Sequence, residues 1–299
     1  MPLNKVPRLR DPQTRDCVKE VREMFMEEYK RDPGQFYEED VKLVDEMKFL
    51  LLRCLISKRK NVKDSYNMLV NMCKWRKEQR IRELTEQDFP VEYFSAGICF
   101  VYEPDKYGNR TIYIRTSRLK CIPELKQSFK LFLAYLMYQI DDCENGETFA
   151  IIFDLTNTGW NNYDIDLLMY FLTLLKEYFP VNADYVLAIN FPWILSTAWS
   201  VVKRLIPPER RDVVVFIQSK EVFNYVDKQN CPDFLEGTCK REHQFMPKSN
   251  LTLVDYLLSQ NDPVLSAKRM AEIVKSLSDI IQKEQLAIAQ KKLEECDRR

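Results

Sequence analysis

The sequence is poor in residues on which several common enzyme chemistries depend. It has one histidine, His243, in the charged stretch CKREHQF, so a catalytic triad or a histidine-based metal site lacks most of its members. Its six glycines form none of the spacings G-x-G-x-x-G, G-x-x-x-x-G-K or G-x-S-x-G, which argues against nucleotide cofactors and serine hydrolase chemistry. We therefore predict no cofactor, no metal site and no catalytic residue.

The sequence also lacks an excess of charge of either sign. Its 45 basic and 45 acidic residues cancel, so no overall field attracts nucleic acid. Nine cysteines, without any C-x-x-C pair, favour free thiols in a reducing compartment. The amino-terminal stretch MPLNKVPRLRDPQTRD has no apolar core of a secretory signal. We expect a cytoplasmic protein that does not bind nucleic acid.

Carboxylates occur in two clusters that are candidates for acid/base or metal chemistry. The cluster at 141–144 lies in a polar turn before an apolar strand, where a solvated role is expected. Asp164 and Asp166 open a helix, where acids favour the helix dipole. Both clusters are explained without catalysis, so we predict that the protein is not an enzyme. A carboxylate-dependent hydrolase is the alternative, and it requires a buried, unpaired Asp154 or Asp164.

One long segment, YVLAINFPWILSTAWSVVKRLI at 185–206, carries no charge in its first eighteen residues. Tyr185 to Ile189 is typical of a strand buried on both faces, and Pro192 suits the start of a helix with a wide apolar surface. A membrane span needs about twenty predominantly apolar residues, and Asn190 and Pro192 interrupt this one. The helix therefore either covers the core of an α/β domain, or lies over an apolar cavity and meets an anionic bilayer through its cationic end.

Hydrophobic periodicity divides the chain into successive regions. Helical spacing dominates the first eighty or so residues, and from Ser95 the period changes to a hairpin followed by alternating strands and helices. Such alternation predicts a parallel sheet with right-handed crossovers. The predicted helices are 14–31, 38–57, one from Lys63, 124–141, 163–178, 193–206, 220–227 and 263–296, and the predicted strands after the hairpin are 148–155, 185–190 and 213–218.

Four passages share the features of one known family. KFLLLRCLISKRKNVKDSYNMLVNMCKWRKE has a basic loop between two helices and a closing Trp-Arg-Lys-Glu, and AIIFDLTNTGW is a strand that ends in Asp154 and a small-residue turn. In EYFPVNADYVLAINFPWILSTAWSVVKRLIPPERR, Tyr-Phe-Pro precedes a strand and Phe-Pro-Trp leads into a helix. A closing loop runs from Pro232 to Thr238. Over about residues 15–240 the chain thus resembles the CRAL-TRIO lipid-binding family.

The resemblance implies an architecture. It places a small helical subdomain at 15–85 and a lipid-binding domain at 90–245, in which helices flank a mostly parallel sheet. An apolar pocket then lies under the helix 193–206, the gate helix of the family. A carboxyl-terminal helical extension follows at 263–299.

The same resemblance implies a ligand site with the sheet as its floor and the gate helix as its movable wall. The expected partners are a phospholipid or another hydrophobic small molecule and a membrane surface, and a protein partner is expected through the carboxyl-terminal helix. Candidate membrane-contact residues are Trp193, Trp199, Lys203 and Arg204. Candidate lipid-binding residues are Ile151, Phe153, Leu187, Ile189 and Val215 on the floor, and Trp193, Ile194, Leu195, Ala198, Trp199 and Val202 on the gate.

The chain also departs from the family pattern. Members similar to phosphatidylinositol-transfer proteins carry an acid after the Tyr-Pro motif and a lysine at the start of the last strand, where this chain has Val181 and Val213. Loss of both charges argues against recognition of a phosphoinositide headgroup. Glu236 replaces the first of two glycines in the closing loop. The helix over an apolar pocket favours a carrier that exchanges lipid at a membrane. The two missing charges favour the alternative, a non-transferring docking module on membranes or lipid droplets.

Overall fold

The computed structural model describes residues 12–141, 145–162, 164–180, 183–206, 208–244, 247, 251–260 and 265–297. Within these ranges, the side chains at positions 12, 198, 209 and 283–297 are not among those described.

Four helices form the amino-terminal part, namely α1 (Pro12–Arg31), α2 (Glu38–Glu46), α3 (Phe49–Ser57) and α4 (Val62–Glu78). Their apolar faces meet in one core cluster, which includes Val21, Phe25, Leu51 and Leu69. Asn61 caps α4, because its side chain accepts a hydrogen bond from the backbone N–H of Asp64 at 3.0 Å. The helical amino-terminal part predicted from periodicity is confirmed.

The prediction of one helix over 38–57 was wrong, because the chain breaks between α2 and α3. Met47 adopts an extended conformation with ψ 164°. The Arg22 side chain on α1 donates hydrogen bonds to the carbonyl oxygens of Val44 and Met47, at 2.8 and 2.9 Å. These carbonyls therefore need no continuing helix to satisfy them.

A five-stranded sheet follows, in the spatial order β1-β2-β3-β4-β5. β1 and β2 form an antiparallel hairpin, and β2 to β5 run parallel. This arrangement confirms the predicted α/β class with a mostly parallel sheet. The strands are β1 (Cys99–Tyr102), β2 (Arg110–Arg115), β3 (Phe149–Asp154), β4 (Ala183–Ile189) and β5 (Val214–Ile217), and the short helix α5 (Val91–Ser95) precedes them.

Three helices connect the parallel strands or follow them: α6 (Lys126–Ile140), α7 (Ile165–Thr173) and α8 (Ser196–Leu205). A π-helical turn, Leu174–Tyr178, extends α7, and the N–H of Phe179 donates to the carbonyl oxygen of Leu174 at 2.8 Å. A 3-10 turn, Trp193–Leu195, leads into α8. The helix predicted over 193–206 is therefore present with a tighter first turn.

The two faces of the sheet pack against different material. One face joins the core cluster of α6 and α7, which includes Phe132 and Phe171. The other face packs against the irregular segment 219–235, where Val222, Val226 and Leu235 are buried. The helix predicted over 220–227 is a 3-10 helix at Ser219–Asn224. Both sheet faces are buried, as the continuous apolar strands predicted.

Two helices complete the described chain. The short helix α9 (Leu253–Ser259) was not predicted, although Thr252 and Asp255 form a capping box at its start. The long helix α10 (Ala267–Asp297) buries Ile273, Leu277 and Ile280 in the core beside α6. The predicted start of this helix at residue 263 lies outside the described residues.

A buried network of charges joins the amino-terminal helices to the sheet domain. Arg53 donates to Asp141 at 2.8 Å, and Arg76 binds both Asp141, at 3.2 Å, and Asp40, at 2.9 Å. Arg82 completes the network on Asp40 at 2.7 Å. The expectation that Asp141 lies in a solvated turn was wrong, because arginines from α3 and α4 cover its carboxylate.

Candidate functional site

The cavity floor is one row of side chains that crosses the sheet. Side chains alternate between the two faces of a strand, so residues in register with each other share a face. Ile114 on β2 is in register with Phe153 on β3, Phe153 with Ala188 on β4, and Ala188 with Phe216 on β5. All four side chains line the cavity.

Two helices form the walls of the cavity. The α7 wall contributes Leu168 and Leu172, and α8 with its preceding turn contributes Leu195, Trp199 and Val202. Ring contacts hold both walls to the floor. Phe171 packs edge-on against Phe153 with centroids 5.6 Å apart, and Trp199 packs edge-on against Phe216 at 4.9 Å.

The cavity has a volume of about 600 Å³. Pockets for small ligands have volumes of roughly 300–1,000 Å³ and are mostly apolar, so this cavity suits a ligand of that kind. Its lining runs along β4 from Ala183 to Ala188, which corresponds to a length of about 17 Å at 3.3 Å per residue. The lining also crosses the sheet from Ile114 on β2 to Phe216 on β5, so the cavity covers four strands.

Both ends of the gate segment are fixed to the sheet domain. At its start Asn190 has a left-handed conformation with φ 53°, and its side chain donates to Thr156 Oγ1 at 2.8 Å and accepts from the N–H of Ser219 at 3.0 Å. At its end Arg211 Nε donates to the carbonyl oxygens of Lys203 and Ile206, at 3.1 and 3.3 Å. These contacts hold the two ends of the segment that contains α8.

The structure brings together only some of the residues predicted for the lipid site. Phe153, Leu195, Trp199 and Val202 line the cavity. Ile151 lies on the same sheet face but is fully buried in the core, and Ile194 is half-buried outside the cavity lining. The side chain of Ala198 lies outside the described residues.

The other three predicted floor residues lie on the opposite face of the sheet. Leu187 and Ile189 belong to the cluster with Val222 and Val226, and Val215 packs against the same cluster. Strand alternation explains the correction, because these residues have the opposite parity to Ala188 and Phe216. An apolar strand buried on both faces gives no sign of which parity faces the ligand.

The candidate membrane-contact residues fall into two environments. Trp193 is 85% exposed, and Lys203 and Arg204 are also exposed near the carboxyl end of α8. Trp199 is half-buried and faces the cavity, so its ring contributes to the wall. Among the described residues, no helix is long and apolar enough to span a bilayer.

Sequence reasoning missed the polar residues at the two ends of the cavity. Thr116 and Thr158 line the end near the carboxyl termini of β2 and β3, where Thr116 Oγ1 donates to the Asp154 carbonyl oxygen at 3.0 Å. Arg210 lines the other end, and its Nη2 donates to the Ala183 carbonyl oxygen at 3.0 Å. Burial lowers the pKa of Arg210, and the nearby carboxylate of Asp184 partly opposes that shift.

Sequence reasoning also missed the apolar wall that α7 contributes to the cavity. The spacing of the leucines in α7 was the available signal for this wall.

The carboxylates considered for catalysis have partners. Asp154 accepts a hydrogen bond from the N–H of Thr156 at 3.1 Å. Asp164 accepts from the N–H of Leu167 at 3.0 Å and forms an ion pair with Lys126 at 3.1 Å, as its predicted capping role requires. Within the described ranges, no cluster of three or more histidine, cysteine or acidic residues is arranged to hold a metal ion. The condition set for a hydrolase is not met.

The departures from the family pattern have local consequences. Val213 is buried at the start of β5 and lines the cavity with an apolar side chain, whereas Val181 lies outside the described residues. The closing loop keeps a tight turn despite the glycine replacement, because Glu236 adopts the left-handed conformation with φ 63°. Gly237 approaches the chain so closely that an added Cβ would lie 1.8 Å from the carbonyl oxygen of Cys231.

Comparison with known proteins relates this geometry to one family. Residues 94–237 match the family model of the CRAL/TRIO domain. A CRAL-TRIO domain-containing protein of Schizosaccharomyces pombe is 24% identical over 206 residues, which cover 64% of this chain and 58% of the relative. Protein real-time of Drosophila melanogaster is 24% identical over 230 residues, which cover 67% of this chain and 34% of the relative. The chain thus spans between about a third and three-fifths of these two relatives.

The fold also has a counterpart among solved structures. The crystal structure of Sfh5 superposes with a TM-score of 0.63 at 14% sequence identity, covering 85% of this chain and 97% of that chain. At this identity the match establishes the shared fold.

Proposed function

We propose that residues 94–237, which match the family model of the CRAL/TRIO domain, bind a lipid or another small hydrophobic molecule, and that this protein carries a lipid between membranes. The observation that carries the proposal is the mostly apolar cavity of about 600 Å³ beneath α8. The role is binding and transfer without a chemical step, by a cytoplasmic protein that associates with membranes peripherally.

The energetics of α8 support exchange at a bilayer. Lifting the helix into water exposes about four large apolar side chains at roughly 1.5–3 kcal/mol each, on the order of 10 kcal/mol in total. That cost is comparable to the whole stability of a domain, so opening into solvent is rare. Insertion of the same side chains into a headgroup boundary offsets the cost.

The exposed surface of the gate segment supports the same proposal. Trp193 presents an indole to solvent at the start of the segment, and tryptophan prefers the membrane interface. Val201 and Leu205 are exposed on α8 itself, at 46% and 42%. Lys203 and Arg204 beside them add attraction to anionic lipid.

The experiment that tests this function has two stages. The chain is purified from a heterologous host, and the extracted lipids are identified by mass spectrometry. Transfer of a fluorescent derivative of the recovered lipid between donor and acceptor vesicles is then measured. We expect a lipid at about one molecule per protein and a transfer rate that rises with anionic lipid content. The proposal is wrong if the purified protein contains no lipid and takes up none from vesicles.

A docking module without transfer is the second candidate. The apolar Val213 lining the cavity favours it over a phosphoinositide carrier, because this position has no lysine to pair with an inositol phosphate. Such a module uses α8 to bind membranes or lipid droplets, and its carboxyl-terminal helix to hold a protein partner. Vesicle binding without lipid extraction distinguishes this candidate from a carrier.

We further propose that the chain is related to one particular member of the family. The passages FDLTNTG and SKEVFNYV and the Pro192-Trp193 pair are similar to the amino-terminal half of motile sperm domain-containing protein 2. The proposal concerns this portion of that protein and assigns none of its other properties to this chain.

A further inference from the structure

Arg210 is a cation at one end of an otherwise mostly apolar cavity. It lies in the 3-10 turn Pro208–Val213 that connects the gate segment to β5, and its side chain is half-buried. The cavity lining also includes Ala183, Val213 and Ile206, which are apolar. The guanidinium is therefore placed where a ligand, once bound, would be in reach.

The protein satisfies little of the hydrogen-bonding capacity of this guanidinium. An arginine side chain has five N–H donors, and Arg210 uses one, Nη2, on the Ala183 carbonyl oxygen at 3.0 Å. Among the described residues, no aspartate or glutamate forms an ion pair with it. Asp184 is the nearest acidic influence, and its carboxylate accepts a hydrogen bond from Asn109 Nδ2 at 3.1 Å.

The other charged groups at this end of the cavity have partners. Glu177 forms ion pairs with Lys176 at 3.1 Å and with Lys58 at 3.7 Å. Lys176 and Glu177 therefore neutralise each other locally, while Arg210 has the Asp184 carboxylate nearby but forms no ion pair with an acid among the described residues. A desolvated cation with unused donors is stabilised strongly by an oxyanion, which a guanidinium can bind through two parallel hydrogen bonds.

The polar groups at the opposite end of the cavity are engaged with each other. The hydroxyl groups of Thr116 and Thr158 share a hydrogen bond, and Thr116 also donates to the Asp154 carbonyl oxygen. The stretch between the two ends is lined by Phe153, Ala188 and the leucines of α7. The charge of Arg210 at one end and the apolar lining between the two ends together suit a ligand with one anionic end and one apolar chain.

We propose that the cavity binds an amphiphile whose oxyanion, a carboxylate or a phosphate, pairs with Arg210 while its apolar chain extends along β4 toward Thr116. The proposal rests on the ligand-binding function above and specifies the chemical class of the ligand. It assigns Arg210 the role of selecting anionic over neutral lipids of equal chain length.

Binding to the full chain tests this assignment with four probes of matched chemistry. Palmitic acid, 1-palmitoyl lysophosphatidic acid and 1-hexadecanol share one chain length and differ in head charge, and inorganic phosphate supplies the anion without a chain. Affinities are measured at pH 8 from quenching of tryptophan fluorescence, since Trp199 forms part of the wall. The variants are Arg210→Met, which removes the charge at similar volume, and Arg31→Met, which removes an exposed arginine at the end of α1.

We expect at least one anionic amphiphile to bind about tenfold or more tightly than hexadecanol, since a hydrogen bond to a charged group contributes that much. Arg210→Met abolishes the preference for the anionic probes over hexadecanol, whereas Arg31→Met retains it. The relative affinities of the acid and the lysophospholipid identify the carboxylate or the phosphate as the preferred head.

Four results overturn the assignment in different ways. Equal affinity of the wild-type protein for hexadecanol and both anions removes the role of Arg210 and leaves lipid binding intact. A preference that survives Arg210→Met shows that the anionic head binds at another residue. If inorganic phosphate binds as tightly as the lysophospholipid, the apolar chain contributes nothing to binding and the ligand is not an amphiphile. Failure of every long-chain probe to bind rejects the carrier function as well.

Discussion

The indole of Trp199 packs edge-on against the ring of Phe216, with ring centroids 4.9 Å apart and an interplanar angle of 78°. Phe191, from the segment before α8, meets the same ring at 5.1 Å. Phe216 lies on the edge strand β5 and remains 42% exposed. The aromatic cluster therefore closes the cavity on the side where the sheet ends, and it connects the gate to the floor.

Loss of this ring contact is expected to accelerate ligand exchange. Edge-to-face aromatic pairs contribute about 0.5–1.5 kcal/mol beyond area burial, so Trp199→Ala or Phe216→Ala speeds lipid release roughly two- to tenfold. Release is followed by stopped-flow transfer of a fluorescent lipid to vesicles. The acceleration of release in the double variant should be smaller than the product of the two single accelerations, because both changes remove the same contact. Independent, multiplicative effects contradict a gate held by this pair.

Filling the cavity floor is expected to separate binding from folding. Ala188→Phe places a large ring in the cavity between Phe153 and Phe216, so lipid binding is lost while the melting temperature stays within a few degrees. Ala150→Phe is the matched control, because Ala150 is fully buried on the opposite face of the sheet. Overpacking there costs about 1–3 kcal/mol and lowers the melting temperature. Retained lipid binding in Ala188→Phe places the ligand outside this cavity.

The fold class and the mostly parallel sheet followed from the sequence, but which side chains of each strand face the cavity did not. Apolar runs such as YVLAI and VVVFI predict buried strands, which are β4 and β5 in the structure. A strand that is apolar on both faces has no polar residue to show which of its side chains face the cavity. Leu187 and Ala188 were therefore equally good candidates, and packing of the segment 219–235 against Leu187 decides between them.

Long-range contacts account for other differences between prediction and structure. The break between α2 and α3 depends on Arg22, twenty-five residues before Met47 in the chain. The burial of Asp141 depends on Arg53, which is 88 residues away. Arg210 is in a basic stretch, PPERR, whose composition suggests a solvated turn. Local patterns carry no information about which of several cations will face a cavity.

The buried charge network predicts a pH-dependent contribution to stability. Burial alone raises the pKa of Asp40, but the charges of Arg76 and Arg82 outweigh it and lower the pKa overall. A carboxylate with a lowered pKa stabilises the fold above its unfolded pKa, and this stabilisation is lost as pH falls through the folded pKa. Asp40→Asn removes the carboxylate that Arg76 and Arg82 share, so less negative charge offsets these guanidinium groups, and the change should cost about 3–5 kcal/mol near neutral pH.

Urea unfolding at pH 7 and at about pH 3 measures this contribution, since the unfolded aspartate titrates between them. The difference between wild-type protein and Asp40→Asn should shrink at the lower pH. Asp45→Asn, at an exposed position of the same helix, should behave as the wild type at both values. A difference that is independent of pH attributes the loss to altered packing instead of charge.

Membrane affinity is expected to depend on Trp193 more than on other exposed aromatic residues. Trp193→Ala should weaken binding to vesicles of phosphatidylcholine and phosphatidylserine by about tenfold or more, because a large apolar side chain no longer enters the interface. Sedimentation with vesicles measures the change. Tyr107→Ala is the control, since Tyr107 is 44% exposed on the β1–β2 turn. Equal losses in both variants exclude a specific membrane contact at the gate.

Arg211 is expected to restrain the carboxyl end of the gate helix. Its Nε binds the carbonyl oxygens of Lys203 and Ile206, which are among the groups that a helix end leaves without partners. Arg211→Gln removes this restraint together with one positive charge, whereas Arg204→Gln removes an exposed charge from the same end of α8. The charge loss, and any weaker attraction to anionic vesicles, is therefore common to both variants.

Only Arg211→Gln should reduce amide hydrogen-exchange protection across α8 and accelerate lipid release, by about two- to tenfold for one or two lost hydrogen bonds. Equal protection and release in the two variants would falsify the restraint and leave Asn190 as the residue that fixes the helix.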